Sequence, residues 1–331
     1  MAGDVGSIDV IICGKLFTPV LEHFRQLMPE ASLEQVEPER LAERVATAQV
    51  VIPAMTRIDD TLLSRAPNLR LVQQWGAGLD TVDLAAATRH GGAVANVPTP
   101  GTGNAESVAE WSVMAAIAVS RGFPGIQRQV QPGHPWGAPA GRALLGKPAG
   151  IVGFGGTGRA LAERLRPFGL RLVAVKRSPD PALALSYGLD WIGDMEALPR
   201  LLQEADYLFL CAPLTDDTRG MIDDRAFGLL PDGAILVNAA RGGLVDREAL
   251  IRALDAGKLA GAALDVFWEE PLPPGDPLVE RPNVLASPHI AGVTDVSYAG
   301  IAGQVAGNIR LALAGRLPRH CANPEVAAAW R

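Results

Sequence analysis

The segment Gly153-Phe154-Gly155-Gly156-Thr157-Gly158 is the place in this chain where residue type and spacing most sharply imply chemistry. It ends an expected strand, IVGF, and leads into an expected helix, RALAERLRPFG. In that setting the first glycine permits a tight turn, the second lets backbone approach a pyrophosphate, and the third lets helix and strand pack closely. The helix N-terminus supplies N–H groups and a partial positive charge for the phosphates. A glycine-rich turn without a ligand has the same local pattern, so the flanking strand and helix carry the dinucleotide reading. At the end of the next expected strand, Leu172 to Val175, a site preferring NAD ordinarily has an acid for the ribose hydroxyls. Here the residues are Lys176-Arg177-Ser178. Two cations and a hydroxyl suit a 2′-phosphate, with Arg177 able to bind it bidentately, so NADP is expected ahead of NAD. A solvated cation pair is the plain alternative, and Asp180 lies close enough in sequence to reach a ribose.

Three later segments add reactive side chains: VNAARGGLVDREAL from Val237, AALDVFWEEPLP from Ala262 and LASPHIAGVT from Leu285. With GAGLDTVDL near Gly76 and NVPTPGTGNAESVAEW, they make the chain resemble the D-isomer-specific 2-hydroxyacid dehydrogenase family over nearly its whole length. The resemblance implies a catalytic set of Arg241, Glu270 and His289. It also implies hydride transfer between NAD(P)H and a small 2-oxo acid to give a D-2-hydroxy acid. Such a transfer leaves negative charge on the carbonyl oxygen, which needs a proton donor. An imidazolium at His289 can give that proton near neutral pH, and an imidazole can take it back in the oxidative direction. A carboxylate such as Glu270 would favour the charged ring and orient it. Arg241 offers a permanently charged fork to the substrate carboxylate and carbonyl. Considered singly, His289 is compatible with a structural role and Glu269-Glu270 with a surface charge pair.

Carried over residue by residue, the resemblance assigns the amides of Ala77 and Gly78 to the substrate carboxylate, where glycine allows close approach. Arg241 and His289 complete the substrate contacts. Gly156 and Thr157 would contact pyrophosphate within the cofactor-binding turn of Gly153, Gly155, Gly156, Thr157 and Gly158, while Lys176, Arg177 and Ser178, read above from their own chemistry, are the expected contacts at the adenosine end. Ala212, Pro213, Thr218, Ala239, Ala240, Arg241, Asp265 and His289 would border the remaining cofactor. Asp265 is expected to orient Arg241 or the nicotinamide carboxamide, and Thr102 to reach a phosphate or ribose. The sequence departs from the family pattern at Trp111, where His is common, and at Lys176-Arg177. A formate dehydrogenase relative would pair its histidine with Gln, and a phosphite dehydrogenase relative would place Lys near Ala77. A glyoxylate or hydroxypyruvate reductase is therefore the expected activity. The alternatives are a phosphoglycerate or other D-hydroxyacid dehydrogenase, for which no regulatory domain is expected, and a dinucleotide-sensing binding protein.

Positioning these groups requires parallel strands with crossover helices. Short apolar runs alternate with helix-length segments throughout, which is the α/β pattern. In the N-terminal part strands are expected at Ile8 to Cys13, Val50 to Ile52, Leu71 to Gln73 and near Val94 to Asn96. Helices are expected at Pro19 to Met28 and Glu39 to Ala46. A long helix from Gly103 to Val119 leaves the first domain, and a Pro- and Gly-rich loop, QPGHPWGAPAGRALLGKPAG, precedes a strand at Gly150 to Phe154. Further strands are expected at Tyr207 to Cys211, Ala234 to Asn238, Gly261 to Val266 and Val284 to Ser287. The helical tail after Thr294 lacks a core of its own. The expected fold has a discontinuous flavodoxin-like substrate domain, residues 1–102 and 291–331, into which an NAD(P)-binding Rossmann domain, residues 103–290, is inserted. Resemblance adds a homodimer with the Gly103 to Val119 helix at its interface.

Composition sets the outer bounds. A chain of 331 residues is longer than a single core usually serves, and 48% hydrophobic with 20% charged residues is ordinary for packed protein. The net charge of −6 argues against a general nucleic-acid binder. No apolar run reaches the roughly 18 residues of a membrane span. Asp4 stands where a signal peptide would be basic. Cys13, Cys211 and Cys321 have no metal-ligand or disulfide spacing, so no metal and a reducing cytoplasm are expected.

Overall fold

The computed structural model describes residues 8–14, 18–126, 137–138 and 140–330. Asp4 and much of the Pro- and Gly-rich loop lie outside the described residues. Packing divides the chain into two units, Met1–Asn104 with Asp295–Arg331, and Ala105–Thr294.

In the first unit β1 (Ile8–Cys13), β2 (Ala31–Val36), β3 (Val50–Ile52), β4 (Leu71–Gln73) and β5 (Ala93–Ala95) form a parallel sheet in the order β2-β1-β3-β4-β5. This is the flavodoxin-like order. The two-residue period of a strand sends Val10 and Ile12 to one core and Ile11 and Cys13 to the other. The first core is closed by helices Thr18–Leu27 and Asp295–Leu313, through Phe24, Ile301, Val305 and Ile309. Helices Asp60–Leu63 and Leu84–Arg89 close the second. Each starts where an aspartate, Asp59 or Asp83, accepts a backbone N–H of the first turn.

The second unit holds seven parallel strands: β6 (Pro148–Val152), β7 (Arg171–Val175), β8 (Trp191–Gly193), β9 (Tyr207–Leu210), β10 (Ala234–Asn238), β11 (Leu259–Leu264) and β12 (Val284–Ala286). Their order is β12-β11-β10-β9-β6-β7-β8, a doubly wound sheet whose direction reverses between β6 and β9. Ile151 faces the core under helices Asn104–Ser120 and Gly156–Leu165, and Val152 faces the opposite core. Trp111 packs, half-buried, against the first of these cores. Among the described residues no helix is long and apolar enough to cross a membrane.

Several elements differ from expectation for identifiable reasons. The expected helix Glu39 to Ala46 is a 3-10 turn, Pro38–Arg40, followed by the short helix Leu41–Arg44. Only Leu41 and Val45 of that segment are buried, too little apolar contact to hold a longer helix. β6 ends at Val152 rather than Phe154 because Gly153 leaves the strand at φ +95°. The strands expected at Gly261 to Val266 and Val94 to Asn96 lie slightly earlier, at β11 and β5. β2 and β8 are edge strands at opposite ends of their sheets and were not expected.

Candidate active site

Every chemically implicated residue of the second unit lies just beyond the carboxyl end of a parallel strand, where ligands of doubly wound sheets bind. After β6 comes the glycine turn. A Cβ on Gly153 would stand 2.5 Å from the Ala212 nitrogen, so only glycine lets the β6 and β9 turns meet. A Cβ on Gly158 would collide with the Gly153 carbonyl oxygen, while one on Gly155 would meet open space. The open approach therefore sits at the N-terminus of helix Gly156–Leu165, where amides of Gly156, Thr157 and Gly158 begin the helix. This cradle fits a pyrophosphate.

After β7, Lys176 is half-buried and donates its backbone N–H to Gly193, whereas Arg177 and Ser178 are exposed. Asp180 accepts the Ala182 amide at 2.9 Å and caps helix Pro181–Tyr187, which gives this carboxylate a structural task. After β9, Ala212 is buried and Pro213 exposed. The Thr218 hydroxyl donates to the Pro213 carbonyl and accepts the Thr215 amide, both at 2.8 Å, and so braces this turn.

The β10 turn, Ala239-Ala240-Arg241, is shaped by Asn238, a residue the sequence reading passed over. Buried Asn238 accepts the Ala240 amide and donates from its side chain to the Arg241 carbonyl at 2.9 Å. Arg241 Nη1 donates to the Ala240 carbonyl at 2.7 Å. Gly242 follows, and a Cβ there would overlap the Phe267 backbone. Close approach at that glycine brings the β10 turn against the segment that carries Glu270.

Glu270 Oε1 accepts the Phe267 amide at 2.8 Å, and Oε2 lies 2.7 Å from His289 Nδ1. Burial pushes the Glu270 carboxyl up, but the His289 hydrogen bond and charge, the Phe267 amide and the Arg241 charge together hold it below the usual carboxylate range. An ionised Glu270 makes Nδ1 the proton-bearing nitrogen of the ring and leaves Nε2 to face a reactant. The imidazole is 35% exposed and the carboxylate 17%, so the pair is held by protein on one side and open on the other. His289 has φ +55°, the left-handed region that non-glycine residues avoid at a cost of about 1–2 kcal/mol. Asp265, after β11, accepts hydrogen bonds from Ser287 Oγ and from the Ile290 and Ala291 amides. Its carboxylate therefore serves the β12 loop.

The first unit contributes its own turn after β4. The Gly76 carbonyl accepts the Val97 amide at 2.8 Å and the Ala77 carbonyl accepts Asn96 Nδ2 at 2.7 Å. With those carbonyls engaged, the amides of Ala77 and Gly78 have no acceptor among the described residues. Thr102 differs from expectation: it is buried, and its hydroxyl donates to Thr99 and accepts the Asn104 amide at the start of a helix. Among the described residues no group of three or more His, Cys, Asp or Glu side chains is placed to hold a metal ion.

This arrangement joins a dinucleotide cradle to an acid, its carboxylate partner and an arginine on a single sheet edge. Comparison with known proteins identifies the class. The family model described as D-isomer specific 2-hydroxyacid dehydrogenase, NAD binding domain, matches residues 113–291. A glyoxylate reductase of Thermococcus litoralis is 35% identical over 296 residues, covering 86% of this chain and 87% of the relative. A D-3-phosphoglycerate dehydrogenase of Mycobacterium tuberculosis is 37% identical over 268 residues, 80% of this chain, and the match spans 49% of that longer relative. The crystal structure of the TT0316 protein of Thermus thermophilus superposes with a TM-score of 0.82 at 33% identity, covering 95% of this chain and 100% of that one. The chain belongs to the D-isomer specific 2-hydroxyacid dehydrogenase family.

Proposed function

We propose that this protein is an NAD(P)-dependent reductase of compact 2-oxo acids, of the glyoxylate or hydroxypyruvate kind, yielding D-2-hydroxy acids. The observation that carries the reading is the 2.7 Å pairing of His289 Nδ1 with Glu270 Oε2 on the sheet edge that also bears Arg241 and the glycine cradle. A bound reduced nicotinamide supplies the hydride to the carbonyl carbon of the substrate. The residues of the chain do the rest. His289 Nε2 gives its proton to the carbonyl oxygen as negative charge develops there, and the neutral ring is recharged from solvent. Glu270 holds the ring through Nδ1 and balances the charge the ring carries. Arg241 pairs with the substrate carboxylate and polarises the carbonyl.

The cofactor proposed is NADP ahead of NAD. Arg177 is exposed at the end of β7, and neither it nor Lys176 makes an ion pair among the described residues, which leaves both for a 2′-phosphate. The protein is proposed to work as a homodimer in the cytoplasm. Helix Asn104–Ser120 has Glu106 and Glu110 as its charged residues and is otherwise rich in apolar side chains. On its outer side Met114 and neighbouring Phe123 are each 48% exposed beside Val113, Ile117 and Phe168. The three cysteines are unpaired, in keeping with a reducing compartment. Phosphoglycerate dehydrogenase is the competing reading and rests on the similarity to the Mycobacterium tuberculosis enzyme. Initial rates for glyoxylate, hydroxypyruvate and 3-phosphohydroxypyruvate, each with NADH and NADPH, test both. A preference for the phosphorylated acid would overturn the first reading, and no turnover of any 2-oxo acid would overturn enzymatic function altogether.

A further inference from the structure

A cavity of about 630 Å³ lies in the first unit at the amino ends of its strands, the sheet edge opposite to the turn at residues 76–78. Asp9, Gln49 and Arg70 line it, and the register of the sheet explains why they stand together. Val10 pairs with Val50 and Val50 with Leu71, so the residues one step earlier form a row across β1, β3 and β4. Backbone bonds tie the row: the Gln49 amide donates to the Asp9 carbonyl at 3.0 Å, and the Arg70 amide to the Gln49 carbonyl at 2.8 Å. Two residues further along each strand stand Ile11, Val51 and Val72, all in one core. By the two-residue period of a strand, Asp9, Gln49 and Arg70 share that face and continue its row past the end of the apolar packing.

The row runs from an anion to a cation. Asp9 is half-buried and Arg70 exposed, and among the described residues neither side chain makes an ion pair or a hydrogen bond. Gln49 Oε1 accepts the Asp9 amide at 3.3 Å, which leaves the Nε2 amino group as the donor between the two charges. His90 also lines the cavity, but its Nε2 lies 3.2 Å from Asp60, a carboxylate it shares with Arg89, so Arg70 is the uncommitted cation of this lining. Two strand spacings separate the positions of Asp9 and Arg70, about 9.5 Å. An α-amino acid spans roughly 3 Å from its nitrogen to its carboxylate oxygens. A charge-assisted hydrogen bond of about 2.8 Å at each end brings the total close to the width of the row. Leu69 and Trp330 add apolar lining, and the Trp330 indole is fixed there by donating Nε1–H to the Gly91 carbonyl at 2.9 Å.

We propose that this cavity binds a free α-amino acid with an apolar side chain: its ammonium on Asp9, its carboxylate on Arg70 and Gln49 Nε2, and its side chain against Leu69 and Trp330. None of these residues belongs to the candidate active site, so the binding does not depend on the reaction proposed above.

The test measures L-leucine binding by isothermal titration calorimetry to the full-length protein and to Asp9→Asn and Arg70→Gln, each first checked for a parental Tm. The parent should bind with a Kd at or below about 1 mM, as a ligand of this size with two charged contacts can. Each substitution should weaken binding at least about tenfold, the usual loss when a charge-assisted hydrogen bond is removed. On the parent, 3-methylbutylamine and 4-methylpentanoate, which each lack one of the two charges of leucine, should also bind at least about tenfold more weakly. A leucine Kd weaker than about 10 mM would overturn the site. So would a leucine Kd that is the same in both variants as in the parent, since the ligand would then sit elsewhere. Binding of 4-methylpentanoate as tight as that of leucine, lost in Arg70→Gln and kept in Asp9→Asn, would overturn the amino-acid assignment and leave a carboxylate site. Should one variant fail to fold, the other variant and the two analogues decide in the same way.

Discussion

Replacing His289 by asparagine tests the proposed chemistry with little disturbance of the fold. The φ of +55° at this position excludes most substitutes, but asparagine visits the left-handed region readily, so the backbone between Ser287 and Ala291 should survive. What is lost is the proton on Nε2 and the bond from Nδ1 to Glu270. General acid catalysis contributes about 10²- to 10⁴-fold, so the barrier should rise by roughly 3 to 5 kcal/mol. The lost bond to Glu270 is part-buried, and Glu270 keeps its second bond, to the Phe267 amide, so stability should fall by only about 1 to 2 kcal/mol. Stopped-flow and steady-state rates on the folded variant, with cofactor Kd from nicotinamide fluorescence and Tm from calorimetry, separate these effects. The expected result is a kcat at least 10²-fold lower with cofactor affinity nearly unchanged. A variant with lower Tm but a kcat within about threefold of the parent would refute the reasoning, since His289 would then be a packing residue.

Glu270→Gln keeps the shape of the pair and removes its charge, so the alkaline limb of the reductive pH profile should shift to lower pH. The Glu270 carboxyl is held below its ordinary value of 4.5 in the folded protein, so its stabilising contribution is complete above that value and is lost as pH falls through the lower folded one. The Tm gap between parent and Glu270→Gln should accordingly shrink in acid, and a gap that widens there would contradict the assignment. Arg177→Asp replaces a cation suited to a 2′-phosphate with a group that repels it, and should turn the kcat/KM preference from NADPH towards NADH. A parent enzyme already faster with NADH would defeat that expectation. Met114→Asp puts a charge on the exposed apolar face of helix Asn104–Ser120 and should yield a monomer by light scattering. An unchanged mass, whether monomeric or dimeric in both proteins, would show that this face is not the interface.

Much of the site was legible in the sequence because its devices are local. Glycines at 153, 155 and 158 encode a backbone path that residue type alone dictates, and the strand before and the helix after them are short-range features. The continuous apolar runs of β9 and β10 announce strands buried on both faces. Other features depended on partners distant in the chain. β2 carries Glu34 and Gln35 and exists because β1 pairs with it along its whole length, and β8 depends in the same way on β7. The helix expected at Glu39 to Ala46 had the right residues but too little core to lie on. Asn238, Gly242 and Ser287 looked like ordinary strand-end residues until the turns after β10, β11 and β12 were brought side by side. Asp265 is the clearest case: no local pattern announced its bonds to Ser287, Ile290 and Ala291, which lie 22 to 26 residues further on. Sequence by itself determined which groups were present at each strand end. Tertiary structure decided which of them meet, because hydrogen bonds and close backbone contacts between neighbouring strand ends depend on sheet order, which no local pattern contains.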